Sequence, residues 1–224
     1  MINIQNILDA EIIQEPWPHK IIDNILTEDT FIVICKEAAK LEQLAMYEPR
    51  DPNGIWLFKA KELGLSDEII DLIMELNVKL LSACNDVLQD FPQAMFSKIG
   101  YFSIPRFNFI GPNVNGSIHD EGDSKTMALV IYLFPEHSIG TKLYKTQSYD
   151  SLTSVIEWKP NRGFLMCSNP NITWHSFHAD HQPRMTLNFY YEKFEKIGYV
   201  NNLEPQKTDW FWKQYSLSRN AIEF

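Results

Sequence analysis

The sequence predicts a mainly β protein, a sandwich or jelly roll with helices against it. From about Ile99 onward the apolar residues come in short β-branched and aromatic segments, separated by Gly, Pro and Asn. About eight such segments follow one another, near 99–110, 114–119, 126–134, 141–145, 153–158, 163–167, 172–176 and 184–193. Upstream, two stretches carry apolar residues at spacings of three and four, which gives each one buried helical face.

Taken in order, Pro18 to Asp23 reads as a short strand behind the knot Pro16-Trp17-Pro18. Thr27 is placed to cap a helix, with Glu28 and Asp29 in the first turn complementing its dipole. That helix turns Phe31, Ile34, Cys35, Ala38, Leu41 and Leu44 inward and runs to about Tyr47. Asp51-Pro52-Asn53-Gly54 reads as a turn. Ser66 starts a second helix, with Ile69, Ile70, Ile73, Leu76, Leu80, Ala83, Cys84 and Val87 on its buried face, and Asp90 to Pro92 end it. Thr126 to Leu133 is apolar on both faces, as a central strand requires. In the last strand Met185, Leu187 and Phe189 alternate with Arg184, Thr186 and Asn188, so the apolar set faces a core and the polar set faces the other way. The two helices are expected to cover one outer face of the sheet. The tail from Glu204, with Trp210, Phe211, Trp212 and Tyr215, reads as a helix packed on the body. The whole chain, 1–224, reads as one domain: 1–98 as helical support, 99–193 as the jelly-roll core and 194–224 as an extension.

Composition narrows the function. A chain of 224 residues with 45% hydrophobic and 13% aromatic content can bury a sizeable core. Its formal net charge of −9, with Lys and Arg scattered, sets it against nucleic-acid phosphates and anionic membranes. Cys35, Cys84 and Cys167 are far apart and odd in number, which argues against a disulfide framework or a zinc knuckle. The start Met1-Ile-Asn-Ile-Gln has neither a basic region nor an apolar run. No stretch approaches the roughly 20 apolar residues that span a bilayer. A soluble, cytoplasmic protein is expected.

One pattern carries chemistry. His119 and Glu121 are two apart, so on an extended segment both side chains project to one side and reach the same ion. Gly122 starts a turn there, which leaves Asp120 and Asp123 open as alternates. His175 lies at the end of a predicted strand after Asn169-Pro170-Asn171 and supplies a third ligand; His178 and His181 are its rivals. Two histidines and one carboxylate with open positions form the ligand set of non-haem Fe(II) oxygenases. Arg184 follows His175 by nine positions and shares a face with Thr186. An arginine facing a barrel interior needs an anion: a co-substrate carboxylate, or a neighbouring Asp or Glu.

These residues resemble the iron(II)- and 2-oxoglutarate-dependent dioxygenases, and within them the prolyl-hydroxylase-like branch. The family pattern is His-x-Asp/Glu, a distal His, and Arg about ten residues on, often with x-Ser/Thr after it. Here it reads His119-x-Glu121, His175 and Arg184-Met-Thr186. Lys125-Thr126 with Ile131-Tyr132-Leu133 is similar to the strand after the first ligands. Gly140-Thr141-Lys142-Leu143-Tyr144 is similar to the Gly-rich strand that follows. Asn161-Arg162-Gly163-Phe164-Leu165 and Trp174-His175-Ser176 are similar to the approach to the distal His. Pro16-Trp-Pro-His19 with Ile22-Asp23-Asn24 is similar to the branch's N-terminal strand. The match touches most of residues 16–193. Two departures stand out: Glu121 replaces the commoner Asp, and Gly140 is single where two glycines are frequent.

The resemblance implies a double-stranded β-helix core and an Fe(II) held by His119, Glu121 and His175. It implies 2-oxoglutarate as co-substrate, its far carboxylate on Arg184 and Thr186, with Tyr132 as a further hydroxyl. With O2, the co-substrate becomes succinate and CO2 while a C–H bond of a small molecule, peptide or protein is hydroxylated. Because a carboxylate is present at the second ligand position, a halogenase is disfavoured. The rivals are a cupin-like metal enzyme that uses no 2-oxoglutarate and a non-catalytic jelly-roll interaction module. The first predicts no need for Arg184; the second predicts no metal affinity and tolerance of His175→Ala.

Overall fold

The computed structural model describes residues 1–45, 54–97, 100–103 and 105–193. The predicted helix end near Tyr47, positions 51–53 of the predicted turn, and the aromatic tail lie outside the described residues. Gly54 has φ +103°, in keeping with that turn.

The N-terminal part is α1 (Ile4–Asp9), β1 (Ile12–Ile13), β2 (His19–Ile22), α2 (Glu28–Ala45), β3 (Ile55–Trp56), α3 (Leu57–Glu62), α4 (Asp67–Ser82) and α5 (Cys84–Gln89). The β-rich part is β4 (Tyr101–Ser103), β5 (Arg106–Ile110), β6 (Lys125–Phe134), β7 (Lys142–Tyr144), a short 3-10 turn, β8 (Leu152–Val155), β9 (Gly163–Cys167), β10 (His175–Ser176) and β11 (Arg184–Lys193). An eight-stranded antiparallel sheet runs β1-β2-β9-β6-β11-β5-β3, with β4 also on β11. A three-stranded sheet, β10-β7-β8, accompanies it, and the two do not close into a barrel. This is the mainly β jelly-roll architecture that the strand spacing predicts.

Strand parity divides the interior in two. Met127, Leu129, Ile131 and Leu133 of β6, Leu165 and Cys167 of β9, and Met185, Leu187, Phe189 and Tyr191 of β11 face the helices. They meet Ile34, Ala38 and Leu41 of α2 and Ile73, Leu76 and Leu80 of α4 in one core. The opposite residues, among them Ala128, Tyr132, Phe164, Met166 and Tyr190, meet Leu143 of the small sheet, Trp17, Ile156 and Trp158 in a second cluster. Burying both faces explains why β6 is apolar throughout.

Three sequence expectations change. The second helix keeps its buried face but breaks at Ala83 (φ −90°, ψ −1°), where the chain turns and starts again as α5. Segment 114–119 is not a continuous strand: it makes only isolated bridges, Asn115 with His178 and His119 with His175. A Cβ on Gly116 would stand 2.7 Å from the Phe177 ring, so only glycine fits where the two segments approach. The strand at 172–176 shrinks to His175–Ser176, because Asn169 to Thr173 form a turn closed by Ile172 and Thr173 N–H groups donating to Asn169 O. The six-residue α1 is too short for periodicity to reveal. It is held by Asn3, whose side chain accepts from Asn6 N, and by buried Lys20, which donates to Ile7 O and Leu8 O and pairs with Asp90 at 2.7 Å. All three cysteines are free. Among the described residues no helix is long and apolar enough to cross a membrane.

Candidate metal centre and co-substrate pocket

His119 and His175 come from different parts of the chain and are held beside each other by their own backbones. His119 N–H donates to His175 O at 3.0 Å, and His175 N–H donates to His119 O at 2.9 Å. Their ring centroids are 4.4 Å apart. Each Nδ1 lies 2.9 Å from a carbonyl two residues upstream, Ser117 O and Thr173 O. A carbonyl only accepts, so both Nδ1 atoms carry the hydrogen, and in the neutral rings both Nε2 atoms are bare acceptors. Burial, followed by the neighbouring His175, lowers the His119 pKa, which favours that neutral form.

Glu121 completes the group. Ligand atoms of His119, Glu121 and His175 all lie within 4.8 Å of one another. Glu121 Oε1 is 3.5 Å from His175 Nε2, and Oε2 contacts Lys125 Nζ. The carboxylate is 7% exposed. Burial pushes its pKa up, but the neighbouring His175 and Lys125 outweigh that and hold it below the usual range. Lone pairs of two imidazoles and a carboxylate therefore converge at one point, an arrangement that asks for a cation. The donor set suits Fe(II).

The alternates are spent elsewhere. Asp120 accepts from Gly122 N at 2.9 Å and Asn171 N at 2.7 Å, so it ties the His119 loop to the turn before His175. Asp123 is exposed. His178 has Ser176 Oγ on Nε2 and Asn115 Oδ1 on Nδ1, and His181 is 74% exposed beside Asp180.

The three residues open on a cavity of about 510 Å³, whose wall also contains Arg184, Thr186 and Asn188. Arg184 is 2% exposed. Its Nη1 donates to Ile139 O at 2.7 Å and to His178 O at 3.0 Å, while Nε has no partner. Its guanidinium carbon stands 4.8 Å over the Trp158 ring. Among the described residues no carboxylate pairs with it. Burial pushes its pKa down to about 10. A buried arginine without a counter-ion is costly, and an anionic ligand relieves that cost.

Tyr132 stands behind the wall: its hydroxyl donates to Thr141 Oγ1 at 2.7 Å and accepts from Thr141 N at 3.2 Å, and its ring stacks on Trp158. Thr141 is the residue of that pair on the cavity. Sequence reasoning missed Thr141, Lys125 and Tyr190. Tyr190 was reachable by parity, being two residues beyond Asn188. Lys125 was not, because its meeting with Glu121 depends on the turn at Gly122 (φ +70°).

The jelly-roll fold is similar to that of solved prolyl hydroxylases. Among solved structures, a Pseudomonas putida prolyl-4-hydroxylase superposes with a TM-score of 0.52 at 14% identity, over 78% of this chain and 87% of that one. A collagen prolyl hydroxylase from Paramecium Bursaria Chlorella virus-1, in its 2-oxoglutarate complex, gives 0.51 at 13% identity over 78% and 95%. A truncated form of the viral enzyme gives 0.50 at 13% over 78% and 89%. At these identities the likeness is one of fold. No protein-family model and no curated protein sequence matches the chain.

Proposed function

We propose that this protein is an Fe(II)- and 2-oxoglutarate-dependent oxygenase that hydroxylates a C–H bond, with residues 1–224 acting as one unit. His119, Glu121 and His175 would hold the metal, and Arg184 with Thr186 the far carboxylate of 2-oxoglutarate. The bound iron supplies the oxidation, in which O2 is consumed and 2-oxoglutarate leaves as succinate and CO2. The protein's part is placement. The Ser117 and Thr173 carbonyls aim the imidazoles. Lys125 orients Glu121 through Oε2 and leaves Oε1 toward the histidines. Tyr132 holds Thr141 against the cavity, and the stacked Tyr132–Trp158 pair walls off Arg184 from water.

The observation that carries the reading is Arg184: buried, unpaired with any described acid, on the same cavity as the three ligand residues. It favours 2-oxoglutarate over a cupin-like centre that uses none. The test is an anaerobic titration with Fe(II), then with 2-oxoglutarate. Wild type binds both. Arg184→Gln keeps Fe(II) and loses 2-oxoglutarate affinity by roughly tenfold or more, the loss expected when one partner of a buried charged pair is removed. Equal affinity in the two proteins would overturn the assignment.

A further inference from the structure

The cavity has a second cationic end that the metal and 2-oxoglutarate do not use. Arg106 on β5 and Asn188 on β11 are directly paired across the sheet, on the cavity side of their strands. Arg184 is paired with Ile110, four positions further along the same strands. At strand spacing that separates the two arginines by about 13 Å. They are two anion positions rather than one.

Both polar groups at this end are incompletely satisfied. Arg106 Nε is buried without a partner, and among the described residues no carboxylate pairs with Arg106. Two aromatic rings lie against its guanidinium, with the Tyr190 centroid 4.3 Å and the Trp56 centroid 5.2 Å from the guanidinium carbon. A cation–π contact does not use up the guanidinium N–H groups, so they stay available to a ligand. Asn188 is 2% exposed; its Nδ2 donates to Tyr190 Oη at 2.8 Å, which fixes the amide, and its Oδ1 has no partner. A buried acceptor left open beside an open arginine is a recognition site for a matching pair of groups.

Charge leads the same way. The chain carries −9 overall, yet among the described residues Arg106, Lys125 and Arg184 line this cavity against only Asp120 and Glu121. A divalent ion and dianionic 2-oxoglutarate cancel each other. The cavity then keeps one positive charge in excess.

Resting on the oxygenase reading, we infer that the substrate presents a carboxylate to Arg106 and a neighbouring N–H donor to Asn188 Oδ1. That is the chemistry of an amino-acid carboxyl end, free or at the terminus of a peptide. The oxidised C–H bond then lies between this anchor and the metal residues.

The experiment is calorimetric binding. Protein with and without Mn(II) and 2-oxoglutarate is titrated with free L-amino acids, the matching L-amino acid amides, and tripeptides with a free or amidated C-terminus. Compounds with a free carboxylate are expected to bind, and their amides to bind roughly tenfold or more weakly. Arg106→Gln should remove that preference, and Arg106→Lys, which keeps the charge if the glutamine variant does not fold, should retain part of it. Binding of the tripeptides assigns the carboxylate to a chain end, and binding of amino acids alone assigns it to a small molecule; both outcomes support the subsite. Equal binding of acids and amides, no binding by any carboxylate, or an unchanged preference in Arg106→Gln overturns it. Carboxylate binding through Arg106 in a protein indifferent to 2-oxoglutarate supports the subsite and counts against the co-substrate assignment instead.

Discussion

Glu121 and Asp120 are adjacent carboxylates with opposite employment. Glu121 faces two bare imidazole nitrogens; Asp120 accepts two backbone N–H groups and staples two loops. Glu121→Ala should therefore weaken Mn(II) or Fe(II) binding by roughly a hundredfold or more. Asp120→Ala should keep metal binding within about tenfold and lose thermal stability instead. Metal titration beside a melting curve separates them, and the reverse pattern would make Asp120 the ligand. The parity of an extended segment already favours Glu121 in the sequence. What the sequence does not show is why Asp120 is unavailable, since Asn171 is distant in the chain. Asp23 gives a second residue-scale prediction. Arg162 grips its carboxylate from Nε and Nη2, Lys159 adds a contact, and the hydrogen bond from Arg162 brings its pKa down to about 2. A carboxyl lowered on folding stabilises the protein above the ordinary carboxylate range, and that stability is lost as pH falls through about 2. The pair is 40% exposed on the Asp23 side, so its contribution is that of a surface network, roughly 0.2–1 kcal/mol. Asp23→Asn should lower the Tm at pH 6, and the difference from wild type should close toward pH 2.

At the scale of elements, alternation is what carried from sequence to structure. In β11 the residues Arg184, Thr186 and Asn188 do line the cavity, and Met185, Leu187 and Phe189 do enter the helix-side core. Alternation is legible because a strand buried on one apolar and one polar face has a fixed period. The segment at 114–119 was not legible in the same way. It is tied to residues distant in the chain, through bridges to His175 and His178 and the close approach of Phe177 to Gly116. Helix α4 shows the same limit: the buried face continues through Ala83, so periodicity passes over the break there. Gly140 is a case where one residue type is enforced by packing. A Cβ at that position would sit 1.5 Å from Ile156 O. The backbone of β8's exit cannot yield without opening the small sheet that carries His175. Gly140→Ala should destabilise the protein by about 1–3 kcal/mol in urea unfolding and weaken metal binding with it. Unchanged stability would show that the close approach is not required.

Over the whole molecule, the helices pack on one face of the large sheet, and the site lies on the other. The small sheet brings His175 against the loop of His119. Two core clusters, one on each face of the sheet, account for a site that is both buried and polar: the helix-side core supplies stability, and the cavity side is released to carry charge. The net charge of −9 says nothing of this, because the three cavity cations are masked in a sum over the chain. Local placement thus reverses what composition alone suggests about the charge of ligands. We propose that this placement serves oxidation with 2-oxoglutarate. It is tested most directly by measuring succinate formed from 2-oxoglutarate by the Fe(II)-supplemented protein in air, beside His175→Ala. Succinate is expected in the wild type and none above background in the variant. Absence of succinate in an iron-loaded wild type, or equal formation by both proteins, would contradict it.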